Sequence, residues 1–210
     1  MTTGRKHFTL IEVLAVVAII GILAALVFPM VGRSRDKANE TKAAAGANTL
    51  AIALKNYKAA YQKFPSVATD DPVGGGNKAF SSLSESDSDD KYDKIIFSLT
   101  GVLPGGDSES QKAEFAKLNK KKTSFLELPP EYMKTGGFYA NPWGRRYYIV
   151  YAKAGKNTLE FKCPANGELT SKTIKVGSEV AVFSELNPNG SNFKDGSKLA
   201  TSWGGVIDVK

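Results

Sequence analysis

Residues 4–30 read "GRKHFTLIEVLAVVAIIGILAALVFPM", and a single carboxylate, Glu12, stands inside an otherwise apolar run. From Phe8 to Val31 it is the only charge, and as a helix this stretch is about 36 Å long at roughly 1.5 Å per residue. A bilayer core is about 30 Å thick, so the run predicts a membrane-spanning helix. A cleaved secretory signal is the competing reading, because Arg5 and Lys6 form a basic start. Its apolar region ends after about 7 to 15 residues, however, and this one continues. Glu12 costs about 3 kcal/mol near a bilayer centre on insertion scales, and less toward one end. Either it reaches headgroups and water, or it awaits a cation from another chain, since the span holds no Lys, Arg or His of its own. Arg5 and Lys6 before the span and Arg33, Arg35 and Lys37 after it leave its orientation undecided by charge. The short leading tail carries nothing to export, which makes the C-terminal part the cargo.

The whole chain has 210 residues, enough for one head and an extension. Its 28 Lys and Arg exceed 21 Asp and Glu, for a formal charge of +7, but the basic residues are scattered and no nucleic-acid partner is expected. Cys163 is the only cysteine, which excludes an intrachain disulfide and a cysteine-rich zinc site. His7 is the only histidine, which excludes a multi-histidine metal site and confines any Ser-His-Asp triad to the N-terminus. With neither GxSxG nor HExxH present, no enzyme is expected.

The stretch "HFTLIEVLAVVAIIGILAALVFP" resembles the N-terminal signature of type IV pilins and type II secretion pseudopilins, including a class III signal. The resemblance implies that a prepilin peptidase cuts between His7 and Phe8 and methylates the new amine. It also implies that Glu12, then the fifth mature residue, pairs with the N-terminus of a neighbouring subunit during assembly. Gly21 and Pro29 fall where the family has helix-loosening residues, and Pro29 has no N–H for the carbonyl of Ala25, so a kink or local opening is expected there. The family usually has Gly where His7 stands, and the bulkier imidazole predicts slower cleavage than in a His7→Gly variant.

Beyond Pro29 an Ala-, Lys- and Glu-rich segment without proline until Pro65 predicts helix to about Lys63. Leu50, Leu54, Tyr57, Tyr61 and Phe64 recur at spacings of three and four, a core-facing stripe, while Lys55, Lys58 and Gln62 take other sides. Residues 65–90 read as a Gly-, Ser- and Asp-rich loop, and residues 90–101 as a short helix stopped by Gly101. The "KLNKKK" segment ending at Lys122 reads as a solvated helix end. Short strands are expected at Tyr147–Tyr151, Thr158–Lys162, Val180–Ser184 and Gly205–Val209, the first two joined as a hairpin by "KAGKN".

"NPWGRRYY" is similar to the Asp-Pro-Trp-Gly-x-Pro-Tyr turn of major pseudopilins, with Asn141 for the acid and Arg146 for the proline. Pro142 and Gly144 suit a turn, and Trp143 an apolar anchor. The resemblance also implies a Ca²⁺ loop near the C-terminus, where Asn187, Asn189 and Asp195 offer oxygens. Only one of these is charged, and Lys194 and Lys198 oppose a cation, so the charge count favours a metal-free turn.

Together these readings predict an α+β fold, in which a long N-terminal helix with a membrane-spanning first half packs its second half on a small antiparallel sheet head. The expected divisions are a leader at 1–7, a membrane or filament-core helix at 8–31, its continuation at 32–64 and a periplasmic head at 65–210. The resemblance implies a subunit of a type II secretion pseudopilus-like filament, held in the bacterial inner membrane by a single pass before assembly. Its partners would be copies of itself, related pseudopilins, the prepilin peptidase, the inner-membrane assembly platform and membrane lipid. A type IV pilin for adhesion, motility or DNA uptake, and an unprocessed membrane-tethered binding module, are the alternatives.

Overall fold

The computed structural model describes residues 9–65, 85–101, 113, 116–128, 139–144, 146–152, 157–165, 168–186 and 198–208. Helix α1 runs from Leu10 to Tyr61 and α2 from Glu85 to Thr100. Six strands follow: β1 Tyr148–Tyr151, β2 Leu159–Ala165, β3 Glu168–Val176, β4 Val180–Glu185, β5 Lys198–Thr201 and β6 Gly205–Asp208. The α+β class and the antiparallel sheet agree with the expectation. Two compact units divide the chain, residues 1–39 and 40–210.

In the first unit, α1 is built from apolar residues without an inward stripe, and it remains helical through Pro29. Among the described residues no helix is long and apolar enough to cross a membrane. The side chains of residues 27–31, which complete the apolar run, lie outside the described residues.

In the second unit the sheet has four strands in the order β1-β4-β5-β6, all antiparallel, and β2 and β3 form a separate two-stranded hairpin. Alternation along the strands divides the core in two. Ile149, Tyr151, Val180 and Val182 face Leu50, Leu54 and Tyr57 of α1 and Tyr92, Ile95, Ile96 and Leu99 of α2. The intervening Val150, Ala181 and Phe183, with Leu199, pack against Leu159, Phe161 and Val176 of the hairpin. The head is therefore layered as helices, sheet and hairpin. Tyr61 and Phe64 border the first core, as the stripe predicted.

The β1–β2 hairpin expected across "KAGKN" does not form. Tyr148–Tyr151 pairs with Val180–Phe183, and β2 pairs with β3 in the other layer. Turn-forming residues mark where the chain leaves a strand, but the apolar faces decide where the next strand goes. Leu159 and Phe161 bury more surface beneath the sheet than at its edge, where they would leave Val150 and Phe183 uncovered.

The end of α1 falls at Tyr61, two positions short of the expected Lys63. Gln62 adopts φ 59°, a left-handed cap, with its N–H donated to Lys58 O at 2.7 Å. Gly101, at φ 68°, stops α2 as expected, and its N–H reaches Phe97 O at 2.8 Å.

Candidate assembly interface

The start of α1 is organised around Glu12. The Thr9 N–H and hydroxyl each donate to Glu12 Oε2 at 2.8 Å, and Glu12 N–H lies 3.3 Å from Thr9 Oγ1. This is a capping box, in which a Thr at the helix start and a Glu three residues on satisfy each other's backbone donors. The carboxylate thus has an intrachain partner that the apolar run alone did not suggest. The signal was in the sequence as Thr9-Leu-Ile-Glu12. Around Glu12, large apolar side chains from Leu10 to Leu26 are exposed, from 52% at Val13 to 79% at Leu10. A side chain added at Gly21 would meet open space. Among the described residues, the eleven exposed large hydrophobics between Leu10 and Leu26 exceed any ordinary scatter of surface apolar residues and form the kind of surface that needs a covering partner.

His7 and Phe8 lie outside the described residues, as does the side chain of Pro29. Asn187, Asn189 and Asp195 lie outside them too. Among the described residues no group of three or more His, Cys, Asp or Glu side chains is placed to hold a metal.

In the head, the second part of α1 receives two tyrosines. The Tyr147 hydroxyl donates to Ala43 O at 3.1 Å and the Tyr139 hydroxyl to Gly46 O at 3.4 Å, and a Cβ at Gly46 would stand 2.3 Å from Tyr147 Oη. The small residues of "AAAGA" let two rings approach the helix backbone. Tyr139 and Tyr147 are themselves stacked, with centroids 5.6 Å apart. The Tyr92 hydroxyl, fully enclosed, donates to Tyr139 O, and burial holds its pKa well above the ordinary phenol value.

The "NPWG" segment forms a turn as predicted. Gly144 N–H bonds Asn141 O at 2.9 Å with φ 76°, and the Asn141 amide caps the turn at Trp143 N–H and donates to Ser184 Oγ at 2.5 Å. Asn141, rather than Trp143, is the buried anchor: it is 2% exposed, while Trp143 is half-buried. Arg146 bridges to Asp93 at 3.4 Å and lies over the Tyr92 ring, tying the turn to α2.

Two further contacts were not anticipated. Lys58, placed by the sequence off the apolar stripe, pairs with Glu179 and sits 5.0 Å from the centroid of Phe64. Asn119, inside "KLNKKK", is buried and accepts from the Tyr61 hydroxyl at 2.7 Å. It also donates to Ser98 O and Thr123 O at 3.0 and 2.7 Å. That segment is a structural joint as well as a solvated one.

Comparison with known proteins adds to this picture. The chain is 48% identical over 62 residues to the type II secretion system core protein G of Pseudomonas aeruginosa, covering 30% of this chain and 44% of that protein. It is 38% identical over 64 residues to the protein of the same name from Escherichia coli, covering 30% and 44% respectively. The Pectobacterium carotovorum protein is 37% identical over 62 residues, covering 30% and 40%. The chain thus spans less than half the length of these relatives. No family model and no solved structure matches it. Over the stretch that matches, the chain is similar to type II secretion system core protein G, a likeness that covers its N-terminal helix region alone and supports kinship with the pseudopilins.

Proposed function

We propose that the chain is a structural subunit of a type II secretion pseudopilus-like filament, not an enzyme, and that it assembles through the N-terminal part of α1. The observation that carries this reading is the uninterrupted helix whose residues from Leu10 to Leu26 expose their apolar side chains. Lipid covers that surface before assembly, and neighbouring copies of the same helix cover it afterwards. The run from Phe8 to Val31 is the single membrane pass, with the head in the periplasm. Cleavage between His7 and Phe8 by a prepilin peptidase, followed by methylation, creates the amine that Glu12 of a neighbour meets. In lipid, apolar helix contacts fix axial register poorly because lipid tails compete equally well, whereas one charge pair per subunit fixes it strongly. Gly21 and Pro29 act in the same segment by letting the helix adjust as it leaves lipid. The relatives' type II secretion names support this system over a type IV pilus. A calcium site at Asn187, Asn189 and Asp195 is not part of the proposal.

The test uses the full chain in a host carrying the secretion system, with membrane fractionation, N-terminal mass and sheared-filament yield measured together. A mature N-terminus at methylated Phe8 and pelletable filaments are expected. An intact Met1 on a membrane-bound chain without filaments overturns the reading in favour of a tethered module.

A further inference from the structure

The C-terminal ends of α1 and α2 are tied together by one segment, residues 117–126. Phe125 and Leu126 N–H both donate to Leu99 O, at 2.7 and 3.1 Å, and the Asn119 amide donates to Ser98 O at 3.0 Å. On the α1 side, Lys121 N–H donates to the Tyr61 hydroxyl at 2.8 Å, and the Tyr57 hydroxyl donates to Leu118 O. Lys122 N–H closes the turn on Asn119 O at 3.0 Å. The side chains of the turn therefore stand on a fixed base.

That base carries lysines. Lys117, Lys120, Lys121 and Lys122 lie on the turn and Lys63 just past the end of α1, and all five are exposed. The Lys121 ammonium donates to Ala60 O at 2.9 Å and lies over the Tyr61 ring, so it answers the C-terminus of α1. The ammonium groups of the other four make no ion pair among the described residues. Glu127 is the one carboxylate in residues 116–128, and five lysines less Glu127 leave +4. Two helix C-termini, at about half a negative charge each, lower this only to about +3.

The residue types choose among anionic partners. Nucleic acids are read with arginine forks or with exposed aromatic rings on which bases stack. No arginine stands among these lysines, and Tyr57, Tyr61 and Phe125 turn their rings to one another, with centroids 4.5 to 6.2 Å apart. An acidic protein surface is a poor match as well, since protein interfaces are depleted in lysine and anchored by tryptophan, tyrosine or arginine. A cluster of lysines without such anchors suits a layer of lipid phosphates, which attracts hydrated point charges.

We infer that the lysine turn is a docking surface for the phosphate layer of an anionic phospholipid membrane. The contact goes beyond the filament reading and does not rest on it, because a membrane-tethered head would carry the same turn.

The test holds the full chain in nanodiscs of neutral phosphatidylcholine, mixes them with separately formed vesicles, and reads the bound fraction by sedimentation. Vesicles with about 30% phosphatidylglycerol should bind at least about a hundredfold better than phosphatidylcholine vesicles. That gain should fall at least about tenfold between about 0.1 and 0.5 M NaCl, as the screening length drops from about 10 to about 4 Å. Each lysine near an anionic surface is worth about fivefold, so Lys117→Gln/Lys120→Gln/Lys122→Gln should weaken binding about a hundredfold. Lys117→Arg/Lys120→Arg/Lys122→Arg keeps the charge and should stay within about threefold of the parent. Lys42→Gln/Lys175→Gln/Lys198→Gln removes as much charge from exposed lysines elsewhere and should also stay within about threefold. Lys121 is left in place because it holds Ala60 O, and circular dichroism checks the fold of each variant. Equal binding to both kinds of vesicle, binding indifferent to salt, or equal loss in the two glutamine sets overturns the inference. So does a short oligonucleotide or polyglutamate bound more tightly than the vesicles through the same three lysines, which would assign the turn to nucleic acid or to an acidic protein.

Discussion

Among the described glycines, Gly46 is the one where an added Cβ meets the closest neighbour. A methyl group there would stand 2.3 Å from Tyr147 Oη, 3.1 Å from its Cζ and 3.2 Å from Tyr139 Oη. Tyr147 is 4% exposed, so its ring cannot swing into water; it must withdraw by about 1 Å to reach ordinary contact distance. That withdrawal gives up the hydrogen bond to Ala43 O, worth about 1 kcal/mol, and adds about 1 to 3 kcal/mol of overpacking. Against this, alanine gains about 1 kcal/mol over glycine inside a helix. Gly46→Ala should therefore destabilise the head by about 1 to 3 kcal/mol, a fall in Tm of about 3 to 10 °C for a domain of this size. Thermal unfolding of the full chain in detergent, followed by near-UV circular dichroism, reads the tyrosine environment directly. Pairing Gly46→Ala with Tyr147→Phe removes the closest atom, so the double variant should lose at least about 1 kcal/mol less than the sum of the singles. If Gly46→Ala is as stable as the parent or more so, the close approach of Tyr147 to the helix is wrong.

Asn119→Ala removes an amide that joins Tyr61, Ser98 and Thr123, and should cost about 2 to 4 kcal/mol in urea unfolding; a loss below 1 kcal/mol would show the joint to be dispensable. Burial raises the pKa of Tyr92 and Tyr151, and raises Tyr57 to about 12, with the neighbouring Tyr61 adding to the effect at Tyr57. An unfolded phenol releases its proton near pH 10, so above that pH the folded head holds protons that the unfolded chain has lost. Stability should be full below pH 10 and fall between about pH 10 and 12, by about 1.4 kcal/mol per unit for each tyrosine fully in that window; a flat urea midpoint over the range would refute the buried phenols. Tyr151 Oη is buried with no hydrogen-bond partner among the described residues, so Tyr151→Phe should leave neutral-pH stability unchanged or higher and make the alkaline fall shallower.

What could be read from the sequence follows the range of the interactions involved. The Leu50 to Phe64 stripe and the stop at Gly101 were legible because helix periodicity and caps are local. Four of the six strands were legible because their residues are β-branched or aromatic. β3 escaped because "ELTSKTIKV" is mostly polar, and among its described residues only Val176 is buried in the core beside the partly buried Ile174. β5 escaped because Leu199 and Ala200 form too short a pattern to stand out. The hairpin error has the same origin: turn chemistry is encoded locally, but β1 finds its partner about thirty residues away through shared burial. Asn119 looked like solvent-exposed sequence among lysines, since its partners Tyr61 and Ser98 come from elsewhere in the chain. Gly46 carries no local signal of its own, because what crowds it is Tyr147, about a hundred residues further along the chain. At the N-terminus the apolar run is plain, and Thr-x-x-Glu at its head is a local capping signal of the same kind, although an apolar run by itself says nothing of how its first turn is satisfied.

That cap changes what a test of Glu12 must separate. In the proposed filament the carboxylate serves a neighbour's amine, but within one chain it already accepts both Thr9 donors through Oε2. Glu12→Leu removes the cap and the charge together, at a capping cost of about 1 kcal/mol in addition to any loss of pairing. Its failure to assemble would not say which role matters. Glu12→Gln does, because glutamine at this position can still complete a capping box with threonine while carrying no charge. Thr9→Ala makes the complementary change: it weakens the cap by removing the hydroxyl and leaves the carboxylate free for an amine. If charge pairing sets the register, filament yield should collapse in Glu12→Leu and Glu12→Gln alike and survive in Thr9→Ala. All three should still enter the membrane, since neither uncharged residue costs more there than an ionised glutamate. Filaments from Glu12→Gln at parental yield, with loss in Thr9→Ala, would transfer the role from the charge to the helix start.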